Sequence, residues 1–160
     1  MKIEIRRIEK SDNLPLAAVI RACLEEHDAA IEGTMYTDPN LEKLYEWFDA
    51  PRSAYWVAYA EESVLGGAGI APLPGADSDV AELQRMFLLP EARGTGTAKK
   101  LMQLSLDFAK SQGFEQVYLE TLPNMQAAQG LYRSFGFEEI PEALGNTGHH
   151  SCDVTMLLQL

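Results

Sequence analysis

The chain has 160 residues, of which 46% are hydrophobic and 23% are charged, and its formal net charge at pH 7 is −11. From this length and composition we expect one globular domain, over 1–160, with a sizeable buried core. The acidic balance argues against general binding to nucleic acids or anionic membranes, because both need a basic surface, and it is compatible with a cationic substrate.

The N-terminal segment does not predict export or membrane insertion. Its first ten residues alternate charged and apolar side chains, unlike a signal peptide, and no apolar run in the chain approaches membrane-spanning length. Cys23 and Cys152 are the only cysteines in the sequence, which is too few for a disulfide framework. We therefore expect a cytoplasmic protein.

Apolar periodicity divides the N-terminal half into strands and helices. Ser11, Asp12 and Asn13 have side chains that cap helix N-termini, so we expect the first helix to begin there. A loop over 27–39 then carries turn residues at its end. The predicted elements are a strand over 3–6, a helix to about residue 26, a short helix over 41–48, and a hairpin of strands over 54–60 and 64–71.

The C-terminal half begins with a strand over 79–89, which ends at Pro90 because proline cannot donate to a β-ladder. The elements predicted after it are a helix to about residue 111, a strand over 114–121, a helix over 125–135, a short strand over 138–140 and a last strand over about 152–158. The complete order is β-α-α-β-β-β-α-β-α-β-β. It predicts an α/β fold with a mixed sheet, because three successive strands joined as hairpins cannot all be parallel.

The turn before the central helix has the features of an anion site. Gly94 and Gly96 let the backbone turn tightly, and a helix start offers unpaired amide groups. Arg93, Lys99 and Lys100 place three cations where acidic side chains are normally preferred. The helix itself presents one apolar face with Leu101, Leu104, Ser105 and Phe108. These features together predict phosphate binding.

Two other phosphate-binding motifs do not fit this turn. A dinucleotide fingerprint needs its glycines directly after the strand, but four residues separate Leu89 from Gly94, and Lys99 occupies the third glycine position. A Walker phosphate loop needs Gly-Lys followed by serine or threonine, and the sequence does not provide it.

Two motifs resemble those of the GCN5-related N-acetyltransferase (GNAT) family, and the chain looks like a poorly characterised bacterial branch of it. The family's signature, Gln/Arg-x-x-Gly-x-Gly/Ala, is matched by Arg93-Gly94-Thr95-Gly96-Thr97-Ala98. Its second landmark, Leu-Tyr-x-x-x-Gly-Phe, is matched by Leu131-Tyr132-Arg133-Ser134-Phe135-Gly136-Phe137. The predicted order of elements is also the family's order. The resemblance spans nearly the whole chain and implies the acyl-CoA N-acyltransferase fold.

The resemblance implies that acetyl-CoA is the cosubstrate. It implies that residues 93–98 and Lys99 hold the pyrophosphate of acetyl-CoA. It also implies that backbone groups of Met86, Phe87 and Leu88 bond the pantetheine arm, as an added strand would. An amide-rich arm can pair in this way only if the neighbouring strand has separated from this one.

Acetyl transfer to an amine needs a proton donor for the departing thiolate and a route for the amine proton to leave. The resemblance implies that Tyr132 is the donor, whereas its packing stripe alone would make it a core tyrosine. Glu82 and Glu120 are the candidate bases, and each is also compatible with a structural carboxylate. We assign Glu82 to catalysis and Glu120 to the substrate. Strand alternation predicts one shared face for Glu82, Gln84, Met86 and Leu88.

His149, His150 and Cys152 are close in sequence, but three such residues without a fourth make a poor zinc site, so we expect no metal. We assign His149 to substrate contact. The resulting hypothesis is direct transfer of acetyl from acetyl-CoA to the primary amine of a small molecule or peptide. The alternative is a non-catalytic acetyl-CoA-binding sensor or docking module. No nucleic-acid or membrane partner is expected, and the resemblance is compatible with a homodimer.

Overall fold

A computed structural model describes residues 1–30, 35–148 and 153–160. Within them, seven strands form one mixed sheet whose spatial order is β1-β2-β3-β4-β5-β7-β6. The strands and α-helices in chain order are β1 (Glu4–Arg7), α1 (Asn13–Glu26), α2 (Leu44–Phe48), β2 (Ala54–Ala60), β3 (Ser63–Pro72), β4 (Val80–Leu88), α3 (Thr97–Ser111), β5 (Gln116–Thr121), α4 (Gln126–Ser134), β6 (Glu138–Ile140) and β7 (Val154–Gln159). This order confirms the predicted α/β fold. Among the described residues, no helix is long and apolar enough to cross a bilayer.

The two layers of helices lie on opposite faces of the sheet. On one face, α3 packs through Leu101 and Met102 against a core that also contains Tyr132 of α4. On the other face, α1 and α2 pack through Leu16 and Phe48 against β2 and β3. Both faces of the central strands are therefore buried, which accounts for their nearly continuous apolar composition.

The parallel pair β4 and β5 separates after a short stretch of pairing. Val80, Ala81 and Glu82 pair with the first three residues of β5, and the ladder between the two strands ends there. Past that point β4 stays paired with β3, and β5 stays paired with β7 as far as Thr121. The sheet consequently opens into a wedge between the C-terminal halves of β4 and β5. This opening positions the candidate site.

A bulge at Arg85 overturns the predicted face of β4. Gly67 pairs with Phe87 and Gly69 pairs with Gln84, so two residues of β4 lie opposite the single residue between those glycines. Arg85 has φ +51, in the left-handed region. One extra residue reverses the alternation. Glu82 and Gln84 therefore do not share a face with Met86 and Leu88, contrary to the prediction.

A glycine on β3 lets the two backbones approach closely just after this bulge. Gly66 has φ +150, and a Cβ built there would lie 2.0 Å from the carbonyl oxygen of Phe87. Any side chain at this position would therefore push β4 away from β3. The close approach of the two backbones depends on this glycine.

Two helix details also differ from the predictions. Asp12 does not cap α1; its carboxylate instead accepts hydrogen bonds from Arg6 and from the Glu9 amide. The Asn13 side chain accepts from the Tyr45 amide and so caps α2, which begins at Leu44 because a turn occupies the preceding residues. On α3, Leu104 is 38% exposed and does not belong to the buried face, which is formed by Leu101, Met102, Ser105, Leu106 and Ala109.

Candidate active site

A cavity of about 410 Å³ occupies the wedge between β4 and β5. Its walls come from β4, β5, the C-terminal end of α1, the glycine turn before α3, and α4. One end is formed by the glycine turn and Lys99, and the lining also includes Arg85 and Glu120. We call the part at the glycine turn the phosphate end and the part at Arg85 and Glu120 the acceptor end. Tyr132 also lines the cavity.

The phosphate end is built from backbone in a conformation that favours glycine. Gly94 and Gly96 have φ +73 and φ +84, and nothing lies within 4 Å of a Cβ built on either. The requirement for glycine there is therefore conformational rather than steric. Gly96 is also the N-cap of α3, and no side chain caps that helix start. Its amides remain available to an anion, with the positive end of the helix dipole behind them.

The hydroxyl groups of this turn stabilise the turn itself. Thr95 donates to the carbonyl oxygen of Ala92 at 2.6 Å, and its hydroxyl lies 2.7 Å from that of Thr97. Thr97 is buried. These contacts assign the two threonine side chains to holding the loop in shape, so any contact they make to an anion would come from their backbone.

Arg93 ties the turn to the end of α1. Its two Nη atoms donate to the two carboxylate oxygens of Glu26, each at 2.7 Å, and its Nε donates to the carbonyl oxygen of Leu88. The hydrogen bond from Arg93 lowers the pKa of the Glu26 carboxyl. Lys99, in contrast, is exposed and has no ion-pair partner among the described residues. Lys99 is thus the lining cation that is available to a phosphate.

Tyr132 is a buried tyrosine whose hydroxyl has no hydrogen-bond partner among the described residues. Its side chain is 7% exposed, packs edge-on against Phe137 with ring centroids 6.0 Å apart, and lines the cavity. Burial raises the pKa of Tyr132 to about 12. The side chain is therefore part of the core and also a neutral O–H donor at the cavity.

The two candidate carboxylates lie on the opposite face of the sheet from Tyr132. Glu82 pairs with Tyr118 in the β4–β5 register, and the Tyr118 hydroxyl donates to Glu120 at 2.7 Å. Thr147 also donates to Glu120. Glu120 lines the cavity, whereas the described lining does not include Glu82. Glu82 therefore has no direct contact with the described cavity.

Glu82 belongs to a buried chain of polar groups. It accepts a hydrogen bond from the Gln84 amide at 2.6 Å. The Gln84 carbonyl oxygen in turn accepts from Trp47 Nε1 and from Arg85 Nη1, both at 2.9 Å. This network orders the sheet face beside the acceptor end.

Arg85 and Cys23 are lining residues that the sequence interpretation did not assign to the site. For Arg85 a signal was available, because the apolar run that follows Gln84 and Arg85 breaks the two-residue period of a strand. Cys23 lies on α1, far from the motifs in sequence, and its thiol donates to the carbonyl oxygen of Leu88 at 3.4 Å. Nothing in the sequence pattern places it at the cavity.

Most of the residues predicted for the site come together in space. The cavity lining contains Met86, Phe87, Leu88, Arg93, Gly94, Gly96, Ala98, Lys99, Glu120 and Tyr132. Thr95 and Thr97 lie in the same turn behind it. His149, like His150 and Cys152, falls outside the described residues. Among the residues that are described, no cluster of histidine, cysteine or carboxylate side chains could hold a metal ion.

Comparison with known proteins decides the family. The family model described as "Acetyltransferase (GNAT) family" matches residues 20–137. The chain belongs to the GNAT family. It is 46% identical over 157 residues to the Escherichia coli (strain K12) protein "Uncharacterized N-acetyltransferase YjgM", covering 98% of this chain and 94% of that one. As a member of this family, the chain is an N-acetyltransferase and hence an acyltransferase, which confirms the predicted enzyme class.

A human relative and solved structures add to this comparison. Human N-acetyltransferase 8B is 39% identical over 89 residues, which cover 54% of this chain and 39% of that protein. A GNAT acetyltransferase from Staphylococcus aureus Mu50 has a TM-score of 0.85 at 22% identity, with 99% of each chain covered. The PaiA N-acetyltransferase from Thermoplasma acidophilum, solved with coenzyme A, has a TM-score of 0.75 at 19% identity and covers both chains fully. At these identities the structures confirm the fold.

Proposed function

We propose that this GNAT enzyme transfers acetyl from acetyl-CoA directly to the primary amine of a small molecule or peptide. The observation that carries the proposal is the wedge between β4 and β5, in which one cavity joins an uncapped helix start to a buried tyrosine and a carboxylate. Coenzyme A is bound in the related structure from Thermoplasma acidophilum, and acetyl-CoA is bound in the related YncA structure from Salmonella typhimurium.

The residues of the cavity fit two parts of acetyl-CoA, the pyrophosphate and the pantetheine arm. The free amides at Gly96 and the Lys99 ammonium suit a pyrophosphate. The edge of β4 at Met86, Phe87 and Leu88 has lost its β5 partner, so its backbone groups can bond an amide-rich arm. We propose these contacts, together with the backbone of residues 93–98, as the cofactor site.

The chain's own groups then have separate tasks in the reaction. Bound acetyl-CoA supplies an activated acetyl thioester. Tyr132 donates its proton to the departing thiolate from one face of the sheet. Glu120 holds the amine on the opposite face, where its carboxylate lines the cavity. Glu82 accepts the amine proton through a water, because its carboxylate lies on the same face but outside the lining.

The protonated thiol of Cys23 in the cavity wall favours direct transfer over a route through an acetylated enzyme. Burial raises the pKa of Cys23, whose thiol donates its hydrogen to the carbonyl oxygen of Leu88. A protonated, hydrogen-bonded thiol is a poor nucleophile at neutral pH. Its presence at the cavity therefore does not imply a covalent route.

A panel of primary amines, with thiol release from acetyl-CoA as the readout and product mass as confirmation, tests the proposal. We expect thiol release that depends on both acetyl-CoA and an amine, with N-acetylated product formed in equal amount. Tight binding of acetyl-CoA, with no thiol release in the presence of small amines, amino acids or peptides, would contradict the proposal and favour the sensor alternative. The scarcity of cysteine supports a cytoplasmic setting for this activity.

A further inference from the structure

Arg85 is a buried cation at the acceptor end that the proposed function leaves without a task. Its side chain is 3% exposed, and the residue belongs to the cavity wall. Its left-handed backbone is disfavoured for a residue with a side chain. The fully buried Tyr55 donates its hydroxyl to the carbonyl oxygen of Arg85 at 2.7 Å and so holds the bulge in place. The fold therefore fixes a charge at this position against a conformational cost.

The described residues give hydrogen-bond partners to only part of this guanidinium. Nη1 donates to Gln84 at 2.9 Å, and Nη2 donates to Asp38 at 2.7 Å. Nε is buried and has no hydrogen-bond partner among the described residues. A guanidinium carries five N–H groups, so three remain after these two bonds. Asp38 is itself engaged elsewhere, since its other oxygen accepts from the Asn40 amide.

An unsatisfied buried donor on a charged group calls for a partner, and the shape of the group indicates which one. Buried polar groups are normally hydrogen-bonded, and exceptions are often found where a ligand binds. The planar fork of arginine matches the two oxygens of a carboxylate better than it matches a single acceptor. The missing partner is therefore most simply a carboxylate supplied by a ligand in the cavity.

The opposite charge lines the same cavity from the next strand. Glu120 of β5 and Arg85 of β4 both contribute to the lining. Arg85 directly precedes Met86, Phe87 and Leu88, the residues proposed to bond the pantetheine arm, so it lies beside that stretch of β4. A ligand there meets a cation and an anion on two sides. Such a pair complements a molecule that carries both an amine and a carboxylate.

We infer that the acceptor is an amine that also bears a carboxylate, as α-amino acids do, and that Arg85 binds this carboxylate while Glu120 holds the amine. The inference rests on the proposed function and narrows its substrate class. It makes Arg85 a specificity-determining residue of the acceptor end.

Acceptor sets that differ only in the carboxylate test this inference on the unaltered enzyme. One such set is phenylalanine, phenylalaninamide and phenethylamine, and the same comparison is made for aliphatic and polar amino acids. We expect kcat/KM to be higher for the carboxylate-bearing member by at least about tenfold, because a site built for a charge-assisted bidentate bond rejects analogues that lack it. Equal or better use of the amide and the decarboxylated amine would overturn the inference while leaving amine acetylation intact. If no acceptor set caused thiol release from acetyl-CoA, that result would instead contradict the proposed function, and the inference with it.

Two variants assign the preference to Arg85. Arg85→Lys keeps the charge but loses the fork, and Arg85→Gln combined with Asp38→Asn removes the charge without leaving a buried aspartate unpaired. We expect both to raise KM for the carboxylate-bearing acceptor by about tenfold or more and to leave KM for the decarboxylated amine within about threefold.

Calorimetric binding of N-acetylphenylalanine to the coenzyme A complex should weaken in parallel. A dissociation constant for acetyl-CoA equal to that of the wild type shows that a variant is folded. A carboxylate preference that survives in folded variants would remove Arg85 from this role.

Discussion

The phosphate end and the acceptor end of the cavity are built on different physical principles. The phosphate end consists of backbone amides at a glycine turn, with one exposed lysine beside them. The acceptor end consists of the buried Arg85 and the half-buried Glu120, held by a bulge in β4 and by hydrogen bonds from Tyr55 and Tyr118. A change at one end should therefore leave binding at the other end almost unaltered. Only the substitution of a residue that takes part in the chemical step itself should leave both acetyl-CoA binding and acceptor binding unchanged while it lowers the rate.

Tyr132 is that residue, and its loss should have the largest effect. Tyr132→Phe keeps the edge-on contact with Phe137 but removes the proton donor at the cavity. We expect kcat to fall by about 100-fold or more, within the usual range for removal of a general acid, and the acetyl-CoA dissociation constant to stay within about twofold. Steady-state kinetics and calorimetry on the same preparation measure the two quantities. Unchanged turnover would make Tyr132 a packing residue.

The pH dependence of the reaction provides an independent check on Tyr132. Burial raises its pKa to about 12, so the folded enzyme holds this proton more tightly than the unfolded chain does. The stabilising contribution is complete below the ordinary pKa of about 10 and is lost as the pH rises through about 12. We expect the wild-type rate to show no loss from Tyr132 ionisation between about pH 8 and 10. A fall in rate over that pH range that disappears in Tyr132→Phe would contradict this expectation, because it would show that the phenol of Tyr132 ionises at a pH well below 12.

Lys99→Glu isolates the phosphate end. Lys99 lines the cavity, while its neighbour Lys100 is exposed and lies outside the described lining. We expect the charge reversal at Lys99 to weaken acetyl-CoA binding by about tenfold, more strongly at low salt, and to leave KM for the amine nearly unchanged. Lys100→Glu is the matched control, because it makes the same change in net charge. Equal effects of the two variants would mean that only the general field of the helix start matters.

Tyr118→Phe isolates the acceptor end and should have the smallest effect. The Tyr118 hydroxyl donates to Glu120 and accepts from the Leu144 amide at 3.3 Å. Without it, Glu120 keeps its bond from Thr147 but is less firmly oriented. We expect KM for the amine to rise about threefold and the free energy of unfolding to fall by about 1 kcal/mol, with acetyl-CoA binding unchanged.

Tyr59→Phe is the control for that measurement, since Tyr59 lies on β2 at the other side of the sheet, where the Arg6 guanidinium packs over its ring. If Tyr118→Phe weakened acetyl-CoA binding as much as it raised KM for the amine, the two ends of the cavity would not be separate.

The sequence allowed the glycine turn and helix start of the phosphate end to be predicted because their determinants are local. Gly94 and Gly96 occupy positive-φ positions in one short turn, and Lys99 follows within the next few residues. The strand before the turn was also predictable from its apolar run, and the helix after the turn from its periodicity. Residues that are close in sequence are also close in space here, so a short motif is enough to predict this turn.

The acceptor end could not be predicted in the same way because its determinants are distant in sequence. The face that Glu82 occupies relative to Met86 and Leu88 depends on the bulge at Arg85, whose carbonyl oxygen accepts a hydrogen bond from the hydroxyl of Tyr55 on another strand. Cys23 reaches the cavity only through the packing of α1 on the sheet. The broken two-residue period after Arg85 indicates an irregular strand, but single-strand alternation does not show which face each residue then takes, because a residue of another strand holds the bulge.

Hydrogen exchange of backbone amides with and without acetyl-CoA tests the central claim most directly, namely that the cofactor binds in the wedge between β4 and β5. The amides of residues 86–88 and 94–98 should exchange more slowly when acetyl-CoA saturates the enzyme, because a ligand covers a strand edge and a helix start that are otherwise open. Residues of β1 and β2, which lie beyond the other side of β4, should show little change. Saturating binding that leaves residues 86–88 unprotected would contradict the account.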